Sequence, residues 1–81
     1  MEKIKTATGR EFDCESFSLI GEPARLYIRI SNTPLSTIAT VFGDPKETVQ
    51  LYYGNLYVAG YTKLLAIIPE NGMVRVNLTK E

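Results

Sequence analysis

Apolar and polar residues alternate with a period of two through most of this chain. The clearest run is ARLYIRIS, where Leu26, Ile28 and Ile30 share one face and Arg25, Tyr27, Arg29 and Ser31 the other. That spacing predicts a strand with one face in a core and the other toward solvent or a partner. Upstream, Glu2 to Thr6 alternates around Ile4 until the turn pair Gly9 and Arg10, after which EFDCESFSLI begins a second extended run. A hairpin is expected there. In the second run Phe12 and Cys14 share one face while Phe17 and Leu19 share the other, so the phase slips near Glu15 and Ser16. A β-bulge or bend at that point would put both pairs inside. Gly21, Glu22 and Pro23 then punctuate the chain.

The period changes only once, in NTPLSTIATVFGDP. Leu35, Ile38, Ala39 and Phe42 fall at i, i+3, i+4 and i+7, which predicts a short helix over about residues 34–42 with Pro34 in its first position and Thr33 as its cap. Gly43 and Pro45 are expected to stop it, leaving Asp44 and Glu47 as turn and strand-start residues. The alternation then resumes. Val49, Leu51 and Tyr53 lead to a turn at Gly54 and Asn55, followed by one long strand bent at Gly60. Asn71 and Gly72 give the strongest hairpin signal in the chain, read as a type I′ turn, before Val74, Val76 and Leu78 on the last strand. The fold expected is mainly β, of the α+β kind: a small, curved antiparallel sheet of about six strands, forming a sandwich or partly open barrel. The helix, carrying one apolar stripe, would cover an open end of the sheet.

Length and composition narrow this further. At 81 residues the chain encloses one core and reads as a single domain over residues 1–81. Nine basic against nine acidic residues leave a formal net charge of zero, so no overall field draws in nucleic acid or an anionic membrane. No apolar run has the length needed to span a bilayer, and the Lys3 and Lys5 region has no apolar stretch behind it, so neither a membrane nor a targeting signal is expected. One cysteine excludes an internal disulfide and fits a reducing compartment.

The chemistry on offer is sparse. Histidine is absent, which removes the usual general base and the commonest metal ligand. Cys14 has no base to activate it and sits in an apolar alternation, where it reads as a small buried hydrophobe. Glu11, Asp13 and Glu15 share one strand face but lack the spacing of a calcium loop, and read as a solvated face. Gly54 and Gly60 are turn and bend glycines, not a phosphate loop. Neither an enzyme nor a cofactor or metal site is therefore expected.

The aromatics say more. Tyr52, Tyr53, Tyr57 and Tyr61 crowd one hairpin, and with Tyr27 they exceed what the inward faces need. Tyrosine clusters on a sheet face serve protein interfaces, pair across strands, or stack sugars and bases. The candidate interface residues are Tyr27, Tyr52, Tyr57, Tyr61 and Lys63. Arg25 and Arg29, flanking Tyr27, form a basic patch too small to hold single-stranded nucleic acid alone, and charge opposite acidic neighbours is the default expectation there.

ARLYIRISNTPLSTIATVFGDPKETVQLYYG followed by YVAGYTKLLAIIPENGMVRVNL resembles short proteins encoded in the head and tail gene clusters of phages and prophages of Firmicutes and related gut bacteria. The shared pattern is a strand, a short helix ending in phenylalanine and a Gly-Asp-Pro turn, a GYTKL strand and a final Asn-Gly hairpin. The resemblance implies a structural or assembly role in a virion. It also implies protein partners, either further copies or other phage structural proteins, and a location in the host cytoplasm or the particle. It carries no catalytic or binding residue across. The alternative is a small ligand-binding β module that stacks a carbohydrate or single-stranded nucleic acid on the tyrosine hairpin.

Overall fold

A computed structural model describes residues 2–80. The first strand, β1 (Lys3–Lys5), runs antiparallel to β2 (Glu11–Gly21), with Ile4 opposite Phe12. A turn containing the cis Glu22–Pro23 bond leads from β2 into β3 (Ala24–Ser31). The expected phase slip is present: the β2–β3 register shifts between Cys14 and Ser16. Phe12 and Cys14 are buried before the bulge and Phe17 packs against the core after it, but Leu19, though opposite the buried Leu26, remains exposed: β1 pairs only with Glu11 to Asp13, which leaves this end of β2 at an open edge.

Leu26, Ile28 and Ile30 of β3 are fully buried, as their alternation predicts. Their strand lies between β2 and the last strand, β7 (Met73–Thr79), which presents Val74, Val76 and Leu78 beside them on the same face. Burying rows of branched side chains on one side is the main stabilising force in a sheet of this size.

The helical segment is α1 (Leu35–Phe42), an eight-residue helix. Pro34 is its N-cap in extended conformation, not its first turn, and the Thr33 hydroxyl donates to the Ser31 carbonyl at 3.2 Å instead of capping it. The buried stripe is Ile38, Val41 and Phe42, while Leu35 and Ala39 face outward. With so few turns, the inward face is set by where the Phe42 ring can seat, 5.7 Å from Phe12. Val41 then replaces Ala39 on the inner side.

Pro45 does not simply stop the helix. It opens a second one, α2 (Pro45–Thr48), with Asp44 as the N-cap accepting from the Lys46 N–H at 3.0 Å. Proline suits a first helical position because its missing N–H would go unused there. Glu47 is thus a buried helical residue and not the start of a strand.

The expected long strand is in fact two. β4 (Gln50–Tyr53) and β5 (Leu56–Ala59) form a hairpin, and β6 (Lys63–Glu70) forms another with β7. The result is one seven-stranded antiparallel sheet in the order β5-β4-β1-β2-β3-β7-β6. Consecutive strands β5 and β6 therefore sit at opposite edges. Gly60, with φ of 85° and its N–H donated to the Val49 carbonyl at 3.1 Å, turns the chain out of β5 and into the link between them.

That link is Gly60 to Thr62, a reach of at most about 14 Å from Ala59 to Lys63, whereas the edges of a flat sheet of this many strands would stand about 29 Å apart. The sheet must curl. It stays open, because β5 and β6 do not pair, and α1 against β6 and β7 together with α2 against β4 fill the opening. Among the described residues no helix is long and apolar enough to cross a membrane.

Candidate interaction surface

The β4–β5 hairpin turns through Gly54 and Asn55 with positive φ at Gly54 alone, 58°. Glycine at the first central position suits the tight turn that matches strand twist. It brings Tyr52 directly opposite Tyr57 on the outer face, ring centroids 5.0 Å apart and tilted by 45°. Both remain exposed, at 40% and 48%. Tyr53 points to the other face and stacks on Phe17 at 4.6 Å and 7°. Period two thus splits this tyrosine run into one inward ring and two outward ones.

The five candidate interface residues do not form one surface. Tyr61 is only 6% exposed: it lies in the link between β5 and β6, where its ring turns into the core beneath the Lys80 ammonium, 5.6 Å away. It is a core residue that closes the link, which corrects its assignment to the hairpin face. Tyr27 is half-buried in mid-sheet, and Lys63 is exposed at the start of β6, the edge strand opposite β5. Only Tyr52 and Tyr57 meet. Tyr52 also borders an open hollow of about 450 Å³ lined by Glu2, Lys3, Lys5, Glu11 and Gly54.

Tyr27 borders a second hollow, of about 410 Å³, with Ser16, Ser18, Arg29, Arg75 and Asn77. These residues come from three adjacent strands because the bulge re-phases β2, setting Ser16 opposite Arg29 and Ser18 opposite Tyr27, while β7 sets Arg75 opposite Arg29. Glu70 holds both arginines, at 2.7 Å from Arg75 and 3.5 Å from Arg29. Arg25 is used differently, donating to the Ala24 carbonyl and to the Thr79 hydroxyl at 2.8 Å. The supposed basic patch is therefore two separate structural contacts, and Arg29 does face an acidic neighbour. The Asn77 side-chain oxygen is buried here without a hydrogen-bond partner among the described residues.

The acidic face of β2 is likewise engaged. Asp13 accepts from Lys3 at 2.9 Å and from Asn32 at 3.0 Å, and these contacts, the Asn32 bond foremost, hold its carboxyl below the usual range. Asn32 can reach it because it adopts a positive φ of 58°, a conformation asparagine tolerates better than most residues. Among the described residues no group of three or more histidine, cysteine or acidic side chains is placed to hold a metal ion. Cys14 is buried with its thiol donating to the Ser16 carbonyl at 3.1 Å, and burial pushes its pKa up to about 11.

Glu47 was the polar residue that alternation did not reveal. Its carboxylate accepts from Thr6 at 2.7 Å, from Thr8, and from the Arg10 Nε at 3.0 Å, and its carbonyl accepts from the Ala7 N–H. The Thr8 and Thr6 bonds lead in lowering its pKa. A Pro following Asp44, with a Glu three residues after that Asp, was the available signal of a capped helix start. The arrangement anchors the β1–β2 turn to α2. Compared with known proteins, the chain matches no family model, no curated protein and no solved structure.

Proposed function

We propose that this chain is a non-enzymatic structural or assembly protein of a phage or prophage particle, working through protein–protein contacts. The observation that supports it best is the exposed Tyr52 and Tyr57 pair on the outer face of the β4–β5 hairpin, at one edge of the sheet. Rigid aromatics on a hairpin offer large contact area at small entropic cost, and such residues dominate binding energy where proteins meet. The resemblance to phage head and tail cluster proteins points the same way, and the host cytoplasm or the virion is the location it implies.

The test is absolute mass by light scattering behind a sizing column over a wide concentration range, for the native chain and for Tyr52→Ser and Tyr57→Ser. Reversible growth in mass that both substitutions weaken by tenfold or more, with the fold intact by circular dichroism, is the expected result. Association that ignores both would remove this face from the proposal. The second reading, a module for carbohydrate or single-stranded nucleic acid, rests on the charged hollow beside Tyr52. It requires the same substitutions to abolish binding to an oligosaccharide or oligonucleotide panel without changing mass.

A further inference from the structure

β6 is an eight-residue edge strand with the sequence KLLAIIPE, paired only with β7 among the described residues. Long apolar edges are templates for another strand and are commonly blunted by charge, shortness, proline or a bulge; β6 has Pro69 near its end and a bulge at Leu65, but its length and lack of interior charge leave Ile67 open between them. Here the interior of the strand is uncharged, and Leu65 and Ile68 are exposed. Its turn fixes which backbone groups are free. Glu70 and Met73 flank a two-residue loop and are register partners, which makes them the hydrogen-bonded closing pair of the hairpin. By alternation Ile68 and Ala66 also bond toward β7, so the backbone groups of Ile67 and Pro69 point away from the sheet. Proline at an outward position is where an edge strand tolerates it.

We propose that β6 pairs antiparallel with β6 of a second copy about a two-fold axis at Ile67, joining the two sheets edge to edge. The inference rests on the reading of this chain as a protein-contact module and names one such contact. It follows from register. Residues opposite one another in an antiparallel pair lie on the same face, so a two-fold pairing works only if the strand is self-complementary about its centre. β6 is, because the register shift between Leu64 and Ala66 makes Leu65 an extra residue.

With Leu65 set aside as the extra residue, Ile67 faces its own copy and Ala66 faces Ile68. Leu64 then faces Pro69, and Lys63 faces Glu70. In the first two pairings partners on β7 show that the faces agree: Ala66 and Ile68 lie opposite Asn77 and Arg75 on the outer face, and Ile67 opposite Val76 on the inner. The ends are complementary in charge. Lys63 has no ion pair among the described residues, and Glu70 sits at the other end of the same strand. Since Glu70 is already shared by Arg29 and Arg75, the Lys63 contact sets register more than it adds affinity. Two outward Ile67 groups exchange both backbone hydrogen bonds at the axis.

The test reads mass and one amide. Light scattering of the full chain is expected to show a monomer–dimer equilibrium that Ile68→Lys weakens at least tenfold by placing like charge at the seam, while Tyr57→Ser weakens only the growth in mass beyond the dimer and leaves that dimer step unchanged. Hydrogen exchange followed by NMR is expected to show the Ile67 N–H slowing as concentration rises, with the β5 amides unaffected. A monomer up to millimolar concentration overturns the pairing, as does a dimer in which Ile67 exchanges no more slowly than in the monomer. A dimer dissolved by Tyr57→Ser and untouched by Ile68→Lys overturns it too, while leaving the protein-contact reading intact. Loss of all association in both variants with unchanged Ile67 exchange overturns the pairing while leaving the protein-contact reading intact.

Discussion

The Thr6 hydroxyl donates to the Glu47 carboxylate at 2.7 Å across 41 residues of sequence, and both side chains are buried. This bond, with those from Thr8 and Arg10, ties the first hairpin turn to the short helix that precedes β4.

Glu47→Ala should therefore cost about 1–3 kcal/mol, the range for leaving buried donors without their acceptor. Glu47→Gln should recover only part of the loss, since its amide nitrogen cannot accept from Arg10. Urea denaturation of the three proteins checks the order, native above Gln above Ala. Equal midpoints for native and Ala would mean the bonds add nothing to stability.

The same contacts fix a pH dependence. The folded state holds the Glu47 carboxyl below its ordinary value, chiefly through the Thr8 and Thr6 hydrogen bonds. Its contribution is therefore full above about pH 4.3, the unfolded glutamate value, and is lost as pH falls through the lower folded value. Asp13 shifts in the same direction. The midpoint of thermal unfolding should drop more steeply below about pH 4.3 for the native chain than for Glu47→Gln. Parallel curves would contradict the assignment.

Cys14 should be nearly inert in the folded protein. A thiol with pKa raised to about 11 by burial is almost wholly protonated at pH 8, and only the thiolate attacks. Ellman's reagent at pH 8 is expected to react slowly with the native chain and fully in denaturant. Fast labelling of the native state would show that β2 opens at its bulge.

At the β6–β7 turn, positive φ falls on Gly72 at 70° and not on Asn71. This is the pattern of a type II turn, which favours proline at the first central position, and not of type I′, which requires positive φ at both. Asn71→Pro should be within about 0.5 kcal/mol of native or slightly stabilising, while Gly72→Ala should cost about 1–2 kcal/mol through backbone strain, with nothing near its added carbon to compensate. Chemical denaturation distinguishes the two; a severe loss from Asn71→Pro would restore the type I′ turn.

Much of the sheet was legible because alternation reports burial directly: Leu26, Ile28 and Ile30, and then Val74, Val76 and Leu78, fall where their spacing places them. The bulge at Cys14 to Ser16 was legible for the same reason, as a break in phase. Topology was not. Nothing in the residues from Leu56 to Glu70 shows that Gly60 separates two edges of one sheet, because a glycine bend within a strand and a glycine exit from it have the same local signature. Tyr61 was misplaced for that reason, its burial depending on where the link passes. Glu47 was missed because its partners are far away in sequence, and Pro45 because a residue that ends one helix also suits the start of the next.

The position of β7 has a consequence for synthesis. It follows β6 in the chain, yet it lies between β3 and β6. A nascent chain halted after Glu70 has β3 paired with β2 alone and β6 with no partner, so the two edges that β7 joins stay open until Met73–Thr79 emerges. Such intermediates aggregate readily, and non-local pairing slows their escape. The interval between making β6 and docking β7 is when this protein most needs a chaperone, and a chain truncated after Glu70 should collect in the insoluble fraction.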